Sequence, residues 1–323
     1  MRISFSLQKG TNPMQRRTLL GAIGATTILA GCGVASSVIG QGSPPQLSQR
    51  RVLWAANVRN KTLVERFAAA RAGNFTHMSM FPIDYQQLLG SGQTHASIKA
   101  AVRASGIGFV ACDPFTKWVP RWAMPDGYPE SYRQFVDYDA DFIFRMADTL
   151  GADTVNCVEP FGVKYSTEEA ANALGSFSEK AARQGLRTAL EFMPISSITD
   201  TRAGWDVVRR VDSPHVGMTF DTWHYFRSTP DQAVLEQIPA AKFFEVQLAD
   251  ALPQLQGGDL VTDLLQFRLP PGDGSFDIRK VLETLKAKGA IRSIGPEVFS
   301  EAFDDMSALN VGRKAGSSLA RWL

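Results

Sequence analysis

Residues 216–227 read VGMTFDTWHYFR. From Val216 to Phe220 the chain is apolar, as in a strand buried on both faces. It then delivers Asp221, Trp223, His224, Tyr225, Phe226 and Arg227 within seven positions. A strand ending in that mixture either closes a core in an unusual way or builds a site at its tip.

Similar apolar runs recur on both sides of it, at Val52–Ala56, Phe75–Phe81, Gly108–Cys112, Thr154–Val158, Arg187–Phe192, Phe243–Leu248 and Ser293–Val298. Between them, apolar residues three and four apart mark helices, as in Asp139–Leu150, Glu168–Gln184, Ala203–Val211 and Ile278–Lys288. Strands alternating with helices predict parallel pairing through right-handed crossovers. Eight strands close a barrel, so the fold class is α/β, a single (β/α)8 TIM barrel over residues 51–323. The rival is an open, doubly wound sheet. It would carry a Gly-rich phosphate loop after its first strand, and Trp54-Ala55-Ala56-Asn57 has none.

Chemistry in such a barrel gathers at the C-terminal strand ends. Strand five leads into Glu191, strand six ends in Asp221, strand seven reaches Gln247, and strand eight reaches Glu297. Three carboxylates meeting in an apolar setting repel one another and lose hydration unless a cation compensates them. An all-oxygen set suits one divalent ion, Mn²⁺, Mg²⁺ or Co²⁺, with Zn²⁺ also compatible. The plainer reading of a lone acid at a strand end is a helix N-cap, and Asp250 is open to it.

The segments LEFMP (190–194), DTWHYFR (221–227), VQLAD (246–250), LPPGDGSFD (269–277) and PEVFS (296–300) resemble the xylose isomerase-like barrel superfamily of sugar phosphate isomerases and epimerases. The resemblance covers the chain from about residue 52 onward. It implies one divalent metal held by Glu191, Asp221, Gln247 and Glu297. It also places His224, three residues after Asp221, against substrate or metal-bound water. Arg227 and the Pro271-Gly272-Asp273-Gly274 turn fit the same pattern. The substrate-facing set is then His224, Arg227, Asp250 and His77. For His77 a satisfied core imidazole is the alternative, and for Arg227 an ion pair with a nearby acid. The chain also departs from the pattern. Many ketose epimerases carry His at the third ligand position and an Arg soon after it, whereas here Gln247 stands there and Asp250 is followed by Ala251-Leu252. Gln at that position also occurs in a dehydratase branch acting on 3-dehydroshikimate.

The chemistry implied is proton removal beside a carbonyl, with Glu191 and Glu297 as the acid–base pair and His224 positioning hydroxyls or relaying a proton. The reading is a metal-dependent isomerase or epimerase acting on a sugar or related polyhydroxy-carbonyl compound through an enediolate. The same enolate expels a β leaving group, so the alternative is a lyase or dehydratase of dehydroshikimate, keto-inositol or 3-keto-glycoside type. A non-catalytic sugar-binding lipoprotein is the second alternative, and the complete ligand set weighs against it. A multi-metal endonuclease on this barrel needs many histidines, and the chain has four. Trp54, Phe81, Trp118, Trp122, Trp223 and Phe226 lie near strand ends, where they either face sugar rings or pack loops. The Pro/Trp-rich segment 115–122 reads as a lid or rim.

The N-terminus carries a different message. A basic start, the short apolar run TLLGAIGATTILA and a small-residue patch mark residues 1–31 as an export signal, with Met14 an alternative start that leaves it intact. Arg16-Arg17 fits a twin-arginine route in part. Leu29-Ala30-Gly31-Cys32 resembles a lipoprotein cleavage box, which makes Cys32 the lipidated first residue and residues 32–50 a tether. An uncleaved anchor is the alternative. The expected location is the cell envelope, lipid-anchored on the periplasmic or extracytoplasmic face. Without residues 1–31 the chain holds 30 basic and 32 acidic side chains, so no nucleic-acid surface is expected and the partner is a small carbohydrate-like molecule. Cys112 and Cys157 read as buried thiols.

Overall fold

The run at the centre of that reading is the sixth strand, Val216–Asp221, of a closed eight-stranded parallel barrel in a computed structural model that describes residues 49–126 and 130–323. The others are β1 (Arg50–Leu53), β2 (His77–Met80), β3 (Gly108–Phe115), β4 (Thr154–Cys157), β5 (Arg187–Glu191), β7 (Phe243–Leu248) and β8 (Ser293–Pro296), with β6 as given. All eight expected strands are present, and sequence neighbours pair around the ring until β8 closes on β1. The first differs most from expectation. It begins at Arg50, and Ala55–Val58 already turns as a 3-10 helix. The Asn57 side-chain amide donates to the carbonyls of Trp54 and Pro296, tying that turn to the end of β8.

Helices start where polar residues cap them. Ser166 and Glu169 form a capping box at Thr167–Arg183, and Asp139 and Asp200 cap Ala140–Leu150 and Thr201–Val211. Alternation along each strand then sorts the side chains. Leu190, Met218, Phe220, Val246, Leu248 and Ile294 point outward into the shell shared with the helices. Inside the ring lies a separate small apolar group, Val52, Trp54, Val110 and Ala111. Above that group the interior becomes polar.

The ring is tight where β8 meets β1. A β-carbon on Gly295 would lie 1.7 Å from the Val52 carbonyl oxygen. Gly295→Ala is therefore expected to destabilise the barrel by about 1–3 kcal/mol or more, since a backbone contact cannot move aside as a side chain does. Urea denaturation measures this directly, and an unchanged midpoint would contradict the packing.

Cys112 and Cys157 are free and buried, and burial pushes both thiols upward in pKa. The export signal, Cys32 and the tether to residue 48 lie outside the described residues. Among the described residues, no helix is long and apolar enough to cross a membrane.

Candidate active site

Strand register brings the expected ligands together. Asp221 pairs in register with Gln247, Gln247 with Gly295, and Glu191 with Thr219 two residues before Asp221. Glu297 follows the last residue of β8. All four side chains are buried at the same end of the barrel.

Each carboxylate is held by one oxygen. Glu191 Oε2 accepts from Asn156 Nδ2 at 2.6 Å. Asp221 Oδ1 accepts from the backbone N–H groups of Trp223 and His224, at 2.6 and 3.3 Å, so it also caps the short helix Thr222–Arg227. Glu297 Oε1 accepts from Gln247 Nε2 at 3.0 Å. The second oxygens face cations or the imidazole. Glu191 Oε1 lies 3.2 Å from His224 Nε2. Asp221 Oδ2 and Glu297 Oε2 both accept from Arg268 Nη1, at 2.7 and 3.1 Å.

Arg268 was not among the expected site residues. It is 1 % exposed, donates through Nε to the Leu264 carbonyl, and lies with its guanidinium 5.1 Å from the ring centres of Trp223 and Phe299. The arginine that seemed missing after strand seven thus arrives about twenty residues later, beyond the helix Leu260–Gln266. Its only signal is its place just before Leu269-Pro270-Pro271-Gly272-Asp273-Gly274.

A second polar tier lies beneath the carboxylates. Asn156 Nδ2 also donates to Asp113 Oδ1 at 3.0 Å, and Asn156 Oδ1 accepts from the Thr219 hydroxyl at 2.8 Å. That hydroxyl lies 3.1 Å from Glu245 Oε2. Burial, the largest influence, pushes Glu245 up to about 8, so it holds a proton at neutral pH. Asn156, Thr219 and Glu245 sit two residues before or beside obvious strand tips, and inward alternation from Glu191, Asp221 and Gln247 is the signal that finds them.

The set also meets two physical tests for a divalent cation. Gln247 Oε1 and His224 Nδ1 are buried with no hydrogen-bond partner, a costly state for protein atoms that have nothing to bind. The carboxylates also outnumber their counter-charges. Desolvation and the neighbouring acids push Glu297 and Asp113 well above the ordinary carboxylate range, although Arg268 opposes this at Glu297. Asp221 is drawn below its usual value: burial works against ionisation there, but Arg268 and His224 outweigh it. One ligand atom from each of Glu191, Asp221 and His224 lies within 4.8 Å of the others. His224 is thus as close to the cation position as the acids are, while Glu297 is drawn toward Arg268 and Gln247.

Three residues expected to face substrate are placed elsewhere. Arg227 donates through Nε to Asp263 at 2.9 Å and through Nη2 to the Leu252 carbonyl at 2.8 Å, and its guanidinium stacks on Phe276. Of its two readings, the ion pair is the one found. Asp250 is 1 % exposed and clasps the 271–276 turn, accepting from the backbone N–H groups of Ala251, Gly272 and Phe276. Gly274 is required there, because a β-carbon would lie 2.3 Å from Asp250 Oδ1. His77 is corrected by position, since it opens β2 at the N-terminal end of the barrel, near Arg50 and Asp153 and hydrogen-bonded to Thr76. The aromatic residues act mainly as braces. Trp118 Nε1 donates to the Val158 carbonyl, Trp122 Nε1 to Thr116, and Trp223 Nε1 to Asp263. The Trp118 bond ties segment 115–122 to the end of β4. Glu159, which drew no notice in the sequence, accepts from the backbone of Phe161, Gly162 and Ser197 and pins the loop after β4 to the loop after β5.

A family profile described as xylose isomerase-like TIM barrel matches residues 67–322. The chain belongs to this family. A 3-dehydroshikimate dehydratase of Pseudomonas aeruginosa is 31 % identical over 163 residues, covering 50 % of this chain and 25 % of that protein. An inosose isomerase of Halalkalibacterium halodurans is 27 % identical over 139 residues, covering 42 % of this chain and 48 % of that protein. The chain therefore spans between a quarter and about half of the length of these two relatives. In three dimensions, the crystal structure of the IOLI protein with a bound zinc atom superposes with a TM-score of 0.72 at 18 % identity, covering 85 % of this chain and 99 % of that one. That likeness is one of fold. The relatives thus carry the names of both a dehydratase and an isomerase.

Proposed function

We propose that the chain is a divalent-metal-dependent lyase that removes water from a cyclic polyhydroxy ketone by way of an enolate. The observation that carries this reading is the asymmetry between the two glutamates. Both Glu297 oxygens are engaged, by Gln247 and Arg268, whereas Glu191 presents Oε1 to the imidazole of His224. Epimerisation by two bases needs a free carboxylate on each face of the substrate, while elimination needs one base and a proton carrier.

Glu191, Asp221 and Gln247 would hold the ion, with Glu297 closing the set from β8. Bound there, a divalent ion polarises the substrate carbonyl. Glu191 Oε1 takes the proton α to that carbonyl, while Asn156 keeps Oε2 fixed so that one lone pair is aimed. His224 Nε2, in contact with Glu191 Oε1, passes a proton to the β-hydroxyl. The C–O bond breaks as the C=C bond forms, and water leaves. Arg268 limits the negative charge that builds as the proton moves. Both relatives' names denote six-membered carbocycles with a ketone and several hydroxyls, which supports that substrate class. The inosose isomerases support a second reading, isomerisation or epimerisation from the same enolate.

The deciding measurement is proton NMR in D₂O after reconstitution with Mn²⁺, Mg²⁺, Co²⁺ or Zn²⁺, using 3-dehydroshikimate, inososes, 3-keto-glycosides and free ketoses. Loss of water from a cyclic ketone is expected. Deuterium incorporation without loss of water would establish the isomerase reading instead. Absence of both, together with no metal retained, would defeat the enolising site altogether.

A further inference from the structure

We propose that Arg268 is an exchangeable counter-cation, occupying the place of half the ionic charge in the metal-free site and yielding Asp221 and Glu297 when a divalent ion enters. This rests on the reading of the site as a divalent cation site. The guanidinium does not pair with arbitrary acids. Its Nη1 touches Asp221 Oδ2 and Glu297 Oε2, the two oxygens that no amide anchors. Those are the oxygens free to coordinate.

The setting suits exchange. Three buried carboxylates converge here, and one fully buried arginine offsets one charge. A planar, always-charged guanidinium matches two carboxylates at once. The backbone on either side of Arg268 is pinned, Phe267 bridging Ser300 and Leu269 bridging Asp250. Movement is thereby confined to the side chain. Trp223 and Phe299 give its cationic end a fixed aromatic seat, and the Leu264 and Glu297 carbonyls provide acceptors that do not depend on the carboxylate oxygens. Metal entry then exchanges one cation for another, and metal affinity is lowered by the work of displacing the resident charge.

Linkage makes this measurable without turnover, since coupling between two cations at one site acts equally on both. The full chain is stripped with a chelator, and Mn²⁺ binding is followed by titration calorimetry for the native chain, R268Q and R268K. The metal-free melting temperature is read alongside. Exchange predicts that R268Q binds Mn²⁺ at least about tenfold tighter than the native chain, because removing a neighbouring positive charge favours the dication. It also predicts a lower metal-free melting temperature for R268Q, recovered when Mn²⁺ saturates the site. R268K keeps the charge but not the fork, so a smaller, severalfold tightening is expected. If R268Q does not fold without metal, R268K carries the test. Equal or weaker Mn²⁺ binding in the variants overturns the exchange and leaves the metal site standing. Mn²⁺ binding by neither native chain nor variants overturns both.

Discussion

Glu191→Gln is expected to lower turnover by about a thousandfold or more, because it removes the one carboxylate oxygen placed to act as base. The substitution is nearly isosteric and takes one negative charge out of a crowd that already pushes the Glu297 and Asp113 carboxyls well above the ordinary range. Thermal stability should therefore hold or rise slightly, which separates lost chemistry from lost fold. Glu297→Gln provides the contrast. If elimination is the reaction, the variant keeps measurable turnover once metal is supplied in excess, since Gln247 holds one Glu297 oxygen and the ion would take the one that Arg268 yields. If two bases work in turn, the two variants fall together. Steady-state rates at saturating Mn²⁺ decide between these outcomes.

Asp263→Ala is expected to cost about 3–5 kcal/mol of folding stability, the usual penalty for removing one partner of a buried ion pair. Asp263 is fully buried and accepts from Arg227 Nε, Trp223 Nε1 and the Gln256 backbone. Its loss strands a largely buried guanidinium and an indole N–H together. Urea denaturation gives the number. A loss below about 1 kcal/mol would mean that Arg227 was not held by this pair and stood free for substrate after all.

That pair also marks where the sequence stops being readable. The strands and the acids at their ends follow from apolar runs ending in charge, and all eight runs became strands. Direction is harder. Arg227 lies six residues after Asp221 and looked equally suited to a substrate and to an acid, because spacing on a short helix does not say what lies across the gap. Asp250 invited a site role for the same reason, yet it serves the turn that follows. His77 opened an apolar run instead of closing one, and on a barrel that difference moves a side chain from one end to the other. Arg268 was unreadable for a topological reason. It belongs to the site of strands six and eight but sits in the connection after strand seven, and only the folded path of that connection brings it back. Asn156 was legible in principle, as an amide on the inward parity of a short strand, since no core accepts an amide there without partners.

The clasp at Asp250 and the bridge from Phe267 to Ser300 close the base of the connection after β7. The span between residues 251 and 267 is therefore a cassette anchored at its two ends, with Asp263 holding its middle to Trp223 and Arg227. Chain can be lengthened, shortened or exchanged inside that span while Arg268 stays on the metal side, provided the new insert brings an acid for Trp223 and Arg227. Such a barrel can try out new substrates by changing its cassette and never reopen its chemistry.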